Sequence, residues 1–245
     1  MIMISYAPGP KADYAKVMFP TIARSYDRLT HLLTFALDRR WRRWATGRTG
    51  LCAGGRVLDL ATGTGAMAML LASQVAPNGM VVGIDLCPEM LAVAREKVRE
   101  TPMERVVYFL AMDASEGFPF PSSAFDCVTM SLALRYFDVR ETLREMIRVV
   151  RPGGRVVILD FASPVSRWAR PGYRLWAFGL MPALGGLLAR SRRVYELLMF
   201  LPRSVAHFYS REVMERLMKD LDLADIRVLN HTFGVVALYM GVKKR

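Results

Sequence analysis

Apolar residues fall along the chain in two rhythms. Over residues 19–46 they recur at three- and four-residue steps (Ile22, Tyr26, Leu29, Leu32, Leu33, Phe35), the period of an amphipathic helix, after a segment 1–18 expected to be loosely ordered. Past the glycines near residue 55 the rhythm changes to short, β-branched, almost wholly apolar runs at 56–60, 80–85, 105–110, 124–131 and 155–160. Runs of that kind belong to strands covered on both faces. The separators are helix-length: 66–72 after the first run, 88–99 after the second, with Cys87 at the N-cap and Pro88 opening the helix, and 140–150 before the last. Arg151-Pro152-Gly153-Gly154 reads as an abrupt helix stop. Strand and crossover helix in alternation predict a mostly parallel sheet wrapped by helices, an α/β fold. At the far end, 226–229 and 235–239 lie too close for a crossover, so they form a hairpin that adds an antiparallel strand.

The chemistry concentrates at the first strand-to-helix turn, Asp59-Leu60-Ala61-Thr62-Gly63-Thr64-Gly65. Strand, glycine turn and helix open a nucleotide-binding unit: the glycines admit a ligand to the backbone, and the first turn of the helix offers free N–H donors. Asp85 ends the next strand 20 residues past Gly65, where a carboxylate can accept from a ribose diol. Gly63-x-Gly65-x-x-Ala68 satisfies a relaxed dinucleotide fingerprint, but a pyrophosphate over this turn would meet the like charge of Asp59. An amino-acid ligand with an ammonium group suits Asp59 better, as in S-adenosylmethionine. A ligand-free turn is the bland alternative.

At 245 residues the chain suits a single domain, with a helical cap at 19–50 and a helical lid inserted at 164–203. Hydrophobic residues make up 53% and mean hydropathy is +0.20, yet the apolar run 175–189 is too short to span a bilayer and is broken by glycine and proline. No signal peptide is expected from the N-terminal sequence. Cys52, Cys87 and Cys127, with three scattered histidines, have no metal spacing, so no metal site is expected. The net charge of +12 favours a polyanion. No nucleic-acid motif accompanies it, and the apolar surplus points to an anionic membrane surface rather than nucleic acid. The lid carries seven arginines against one acid, Glu196, among Trp168, Tyr173, Trp176, Phe178, Tyr195 and Phe200. It is expected to close the site and touch a greasy partner. Arg39-Arg40-Trp41-Arg42-Arg43-Trp44 is either a solvated helix end with inward tryptophans or an interfacial anchor.

Phe118-Pro119-Phe120-Pro121, Ala124-Phe125-Asp126, Leu134-Arg135, Arg144-Glu145-Met146 and Arg151-Pro152-Gly153-Gly154-Arg155 run in register with the ubiquinone/menaquinone biosynthesis C-methyltransferases. Ile22 to Asp27, Arg40-Trp41-Arg42 and Gly234 to Leu238 are similar to the same family. The resemblance implies a class I, Rossmann-like methyltransferase fold with seven strands, S-adenosylmethionine as cofactor, and methylation of a quinol ring. It carries cofactor contacts onto Thr64, Asp85 with the adjoining Leu86, Asp113, Ala114 and Ser131, with Asp85 on the ribose and Asp113 on the adenine amine. Asp59, Gly63 and Gly65 would line the methionine end. The chain departs from the family in having Ala133-Leu134-Arg135-Tyr136 for the usual Gly-Leu-Arg-Asn, and Tyr26-Asp27-Arg28-Leu29-Thr30 for the usual Tyr-Asp-x-Met-Asn.

Methylating an aromatic carbon calls for a stabilised phenolate beside it. Arg135, at the carboxyl edge of the sheet, is the candidate for that charge, and Tyr26 for orienting the ring hydroxyl. The structural alternative for Arg135 is an ion pair with an acid such as Asp138. His207 and His231 match no family motif, so the base is expected to be water. The leading expectation is a cytoplasmic, peripherally membrane-associated C-methyltransferase of a prenylated quinol, and a candidate homodimer. Another hydrophobic acceptor such as a polycyclic phenol or sterol, an inactive S-adenosylmethionine-binding protein, and more distantly an NAD-linked oxidoreductase are the alternatives.

Overall fold

The computed structural model describes residues 11–188, 190 and 192–245. Three helices come first: α1 (Lys11–Ile22), α2 (Tyr26–Leu33) and α3 (Leu37–Thr46). The expected loose segment therefore holds a helix from Lys11 on, while residues 1–10 lie outside the described residues. Local sequence does not reveal α1 because its support is distant: Met18 and Ile22 are buried against Val194, Leu197 and Leu198, far along the chain. The helical stretch expected over 19–46 is interrupted between Ile22 and Tyr26 and again at Phe35 and Ala36, both left-handed at φ 52° and 62°. That turn lets α2 bury Leu33 in the cap while α3 buries Trp41 and Ala45 against the sheet. Trp41 also donates from its indole N–H to the Thr232 hydroxyl at 2.8 Å, so it packs inward rather than anchoring outside.

The alternating core follows: β1 (Arg56–Leu60), α4 (Ala66–Val75), β2 (Met80–Asp85), α5 (Pro88–Val98), β3 (Val107–Ala111), β4 (Phe125–Ser131), α6 (Val139–Val149) and β5 (Val150–Phe161). β3 starts later than expected because Pro102–Arg105 winds into a 3-10 turn. Helix α6 does stop abruptly, but Pro152-Gly153-Gly154 is not a loop. It is the irregular opening of β5, where the pairing with β4 shifts register between Phe125 and Cys127. Next come α7 (Ala169–Leu175), a π-turn at Trp176–Leu180, α8 (Met181–Leu188), α9 (Arg192–Ala206) and α10 (Arg211–Asp220). The chain closes with the hairpin β6 (Leu223–His231) and β7 (Val236–Lys243).

The strands form one seven-stranded sheet in the order β3-β2-β1-β4-β5-β7-β6. The five alternating strands are parallel; β7 runs antiparallel to β5, and β6 to β7. Successive strand residues face opposite sides. Leu58, Val82, Val128 and Val156 thus meet Leu143 and Met146 of α6 and Met214 of α10, whereas Val57, Val81, Cys127 and Val157 meet Trp41, Leu71 and Leu91 of α3, α4 and α5. Strand order reverses between β1 and β4, which leaves a crevice above their carboxyl ends, the usual ligand position in an open α/β sheet. A third cluster, built from α1, α2, α9 and the start of α5, roofs that edge.

Candidate functional site

The crevice is a cavity of about 480 Å³ walled by the ends of β1 to β4 and roofed by α1 and α2. That volume suits a ligand of cofactor size, for which roughly 300–1,000 Å³ is typical. The turn that floors it packs three left-handed residues, Ala61, Gly63 and Gly65, into five positions. The two glycines do different work. A Cβ on Gly63 would meet nothing within 4 Å, so this residue opens onto free space, whereas a Cβ on Gly65 would press on Ala94 and the Phe109 ring at 3.1 Å. Asp85 stands beside the turn. One carboxylate oxygen accepts from the Gly63 N–H at 2.7 Å and the other from the Cys87 N–H at 2.9 Å. Burial raises its pKa, against those two N–H donors. At the end of β3, Asp113 accepts from the Ser115 N–H at 3.0 Å and pairs with Lys16 of α1 at 3.1 Å. Although burial pushes the other way, the Ser115 hydrogen bonds and the Lys16 charge hold its pKa below the ordinary value. Leu86, Ala114 and Ser131 complete this side, and the Ser131 hydroxyl is buried without a partner.

The remaining sequence candidates lie elsewhere. Asp59 is 0% exposed and does not line the cavity. Its two oxygens accept from the hydroxyls of Thr62 (2.6 Å) and Thr129 (2.7 Å), so the carboxylate braces the turn from beneath and presents no face to an ammonium group. Burial, opposed by these hydrogen bonds, pushes its pKa up to about 6. Thr64 also points away. Its hydroxyl donates to Asp27 of α2 at 2.6 Å, and Lys97 of α5 donates to its carbonyl at 2.8 Å while pairing with Asp27. Of the group assigned to the methionine end, only Gly63 faces the cavity. Lys16, Phe19 and Pro20 of α1 also line it; Lys16 falls in the segment expected to be loose, and Phe19 and Pro20 at the start of the stretch expected to be helical carry no signal of a site.

A second, apolar cavity of about 90 Å³ lies among α1, α2, α8 and α9. Val194, Leu197 and Leu201 of α9 line it, as do Thr30 and Tyr136, the residues that stand where the family usually carries asparagine. Phe19, Tyr26, Leu132 and Tyr136 line both cavities, so the two share a wall. Arg135 closes the floor. Its side chain is 3% exposed and pairs with Asp160 at the end of β5, while its Nε donates to Ser204 of α9 at 3.1 Å. Burial alone would weaken the guanidinium's hold on its proton; the Asp160 charge outweighs it and raises the pKa. Asp138 is not the partner: it caps α6, accepting from the Glu141 N–H at 3.0 Å.

Residues 9–243 match the ubiE/COQ5 methyltransferase family. The chain is 37% identical over 239 residues to the ubiquinone/menaquinone biosynthesis C-methyltransferase UbiE of Geobacter sp. (strain M21), covering 97% of this chain and 100% of that one. It is 39% identical over 240 residues to the UbiE of Geobacter sulfurreducens, covering 97% and 91%. In fold it is similar to a SAM dependent methyltransferase from Aquifex aeolicus (TM-score 0.62, 20% identity, 91% of this chain and 97% of that one). It is also similar to phosphoethanolamine N-methyltransferase 2 of Haemonchus contortus in complex with S-adenosyl-L-methionine (TM-score 0.66, 18% identity, 96% and 60%).

The bracing carboxylate makes a pH prediction. The pKa of Asp59 rises from 3.8 to about 6 on folding, so between those values the folded state binds more protons than the unfolded one. Stability contributed by Asp59 is therefore present below pH 4 and lost as pH rises through 6, by about 3 kcal/mol in total. In urea titrations across pH 4–7, the difference between wild type and Asp59→Asn should move against wild type by that order. A difference independent of pH would show that the carboxylate is not buried as described.

Proposed function

Because the chain belongs to the ubiE/COQ5 methyltransferase family, we propose that it methylates a ring carbon of a prenylated quinol with S-adenosylmethionine as donor. The observation that carries this reading is the shared wall: a cavity of cofactor size with carboxylates at its rim adjoins a smaller apolar one through Phe19, Tyr26, Leu132 and Tyr136. The wide cavity fits the cofactor. Gly63 opens onto it where a side chain would fill it, the Ser131 hydroxyl lacks a partner, and two carboxylates, Asp85 and Asp113, stand at its rim. Asp85 would hold the ribose hydroxyls and Asp113 the adenine amine.

S-adenosylmethionine supplies a methyl carbon attached to positively charged sulfur. The other requirements fall on the chain. A quinol carbon becomes nucleophilic when the neighbouring hydroxyl gives up its proton, so positive charge must stand near that oxygen. Arg135 supplies a fixed charge at the floor of the apolar cavity, held by Asp160 and Ser204. Tyr26 faces both cavities from α2 and orients the ring hydroxyl. Among the described residues no histidine lines either cavity; on this reading water takes both the hydroxyl proton and the proton that the methyl group replaces on the ring. The apolar cavity, about 90 Å³, is smaller than the ~150 Å³ that accommodates benzene in an engineered core. A quinol ring can enter only when α8 and α9 draw back from α2.

The acceptor is a membrane lipid on this reading, and the surface supports a peripheral contact. Trp168, where the lid begins, is 94% exposed, and Phe233, at the tip of the final hairpin, is 74% exposed. A hydrogen bond from the Val165 N–H to the Phe233 carbonyl, 3.1 Å, joins the two segments. Thr232 and Phe233 both adopt left-handed φ, 48° and 55°, which is unfavourable for side chains of this kind. Exposed Arg167, Arg170 and Arg174 flank the aromatic pair. Each contributes about 1 kcal/mol beside an anionic surface, enough in combination for reversible attachment. No helix among the described residues is long and apolar enough to cross a membrane.

Three measurements test these statements. Asp85→Ala should weaken binding of S-adenosylhomocysteine by roughly 1–3 kcal/mol in calorimetry, and unchanged affinity in a folded variant would remove the cofactor assignment. Incubated anaerobically with methyl-labelled S-adenosylmethionine and 1,4-naphthoquinol, the protein should place the label on a ring carbon. Arg135→Lys, which keeps Asp160 paired with a cation, should slow this by roughly 10²-fold with little change in cofactor affinity. Label on oxygen, or none, counts against the reaction; full activity in the lysine variant counts against the role of Arg135. With anionic vesicles the wild type should co-sediment at low salt, and replacing Arg167, Arg170 and Arg174 by glutamine should release it. Equal binding to neutral vesicles would mean that apolar insertion, not charge, drives attachment.

A further inference from the structure

Arg135 poses a geometric difficulty. Its side chain is 3% exposed, with Nη1 held by Asp160 and Nε by Ser204, so it is anchored in the cavity floor and has only its remaining N–H groups to offer an acceptor. The next residue stands on the wall that the two cavities share. Tyr136 ends the short 3-10 turn after β4 and lines both cavities. Its ring is fixed edge-on to Phe19 (centroids 5.8 Å apart) and stacked on Phe200 (6.3 Å). The Arg135 guanidinium stands over the ring face at 4.9 Å from its centroid. That hydroxyl is buried and has no hydrogen-bond partner.

A buried hydroxyl without a partner costs roughly 1–3 kcal/mol, and such atoms in a folded protein call for an explanation. Three others are known among the described residues: Ser131 Oγ, Asp160 Oδ2 and Tyr239 Oη. Ser131 lines only the cofactor cavity, and Asp160 and Tyr239 line neither. Tyr136 alone of the four stands where a group in the apolar cavity and a group in the cofactor cavity would meet. Burial keeps its pKa raised even with the opposing charge of Arg135 beside it, so at neutral pH it is a phenol with a proton to donate.

Resting on the quinol reading above, we propose that Tyr136 is the direct hydrogen-bond donor to the acceptor's ring oxygen, and that Arg135 acts through it as a positioning residue. The acceptor class follows: a ring bearing an oxygen beside the carbon that is methylated, with the rest of the molecule apolar. An oxygen-free ring of the same shape leaves the Tyr136 hydroxyl unpaired and is rejected.

The test uses Tyr136→Phe, which retains the ring and its contacts with Phe19 and Phe200. Two probes of matching shape, 2-methyl-1,4-naphthoquinone and 2-methylnaphthalene, are titrated against wild type and variant with S-adenosylhomocysteine present. Wild type should prefer the oxygenated probe, and the variant should lose roughly tenfold or more of that preference while binding S-adenosylhomocysteine unchanged. With 1,4-naphthoquinol and S-adenosylmethionine, the variant's kcat should fall about 10- to 10²-fold. Wild-type turnover together with an undiminished preference and kcat in Tyr136→Phe overturns the role of Tyr136 and leaves the quinol reading standing. Absence of wild-type methyl transfer overturns the quinol reading, and with it the inference that rests on it. If the variant lost S-adenosylhomocysteine binding, Tyr136 would be a structural part of the cofactor wall and the proposal would also fall.

Discussion

Arg135 and Asp160 meet inside the protein at the carboxyl ends of adjacent strands, where neither side chain reaches water. Breaking such a pair by removing one partner costs about 3–5 kcal/mol, because the other charge is left stranded. The pair therefore acts as a fixed joint. Through the Ser204 hydroxyl it also reaches α9, which carries the apolar residues of the second cavity. Floor and roof of the acceptor site are referred to one point. The positive charge there is permanent, and the adjoining tyrosine is held against it by rings on both sides.

The cofactor side is tied to the same roof by different contacts. Asp27 of α2 accepts from the Thr64 hydroxyl and pairs with Lys97, joining the glycine turn, the cap and α5. Lys16 of α1 pairs with Asp113 at the end of β3. The helices that cover the larger cavity thus also wall the smaller, apolar one. Two ligands that occupy both cavities would be shut together by one set of helices, away from bulk water, as a methyl transfer between them demands.

The sheet was legible because its strands are apolar on both faces and its crossover helices have their expected length. The hairpin was legible because two apolar runs stood too close for any other connection. What escaped was long-range. Helix α1 lacks an amphipathic signal and is held by residues far along the chain, so its residues before Phe19, Lys16 among them, read as loose. Both Asp85 and Asp113 line the larger cavity, Asp113 legible as a candidate only through the family resemblance and Asp85 from its place at a strand end. Asp59 occupies a similar place, yet the hydroxyls that engage it come from Thr62 and from Thr129, 70 residues on, and only the folded sheet brings the latter near. The partner of Arg135 was sought close by in sequence, at Asp138, but a helix cap had claimed that side chain and the true partner lies 25 residues away. The departures at Thr30 and Tyr136 could be seen from sequence. That both stand in one cavity could not.

The central claim is that the acceptor ring sits at the wall the two cavities share. A crystal structure with S-adenosylhomocysteine and 2-methyl-1,4-naphthoquinone measures this directly. The account predicts the ring between Tyr26 and Tyr136, its methyl group toward the sulfur, and an apolar cavity enlarged by displacement of α8 and α9. A ring bound on the outer surface of the lid, with that cavity still closed near its present 90 Å³, would contradict it.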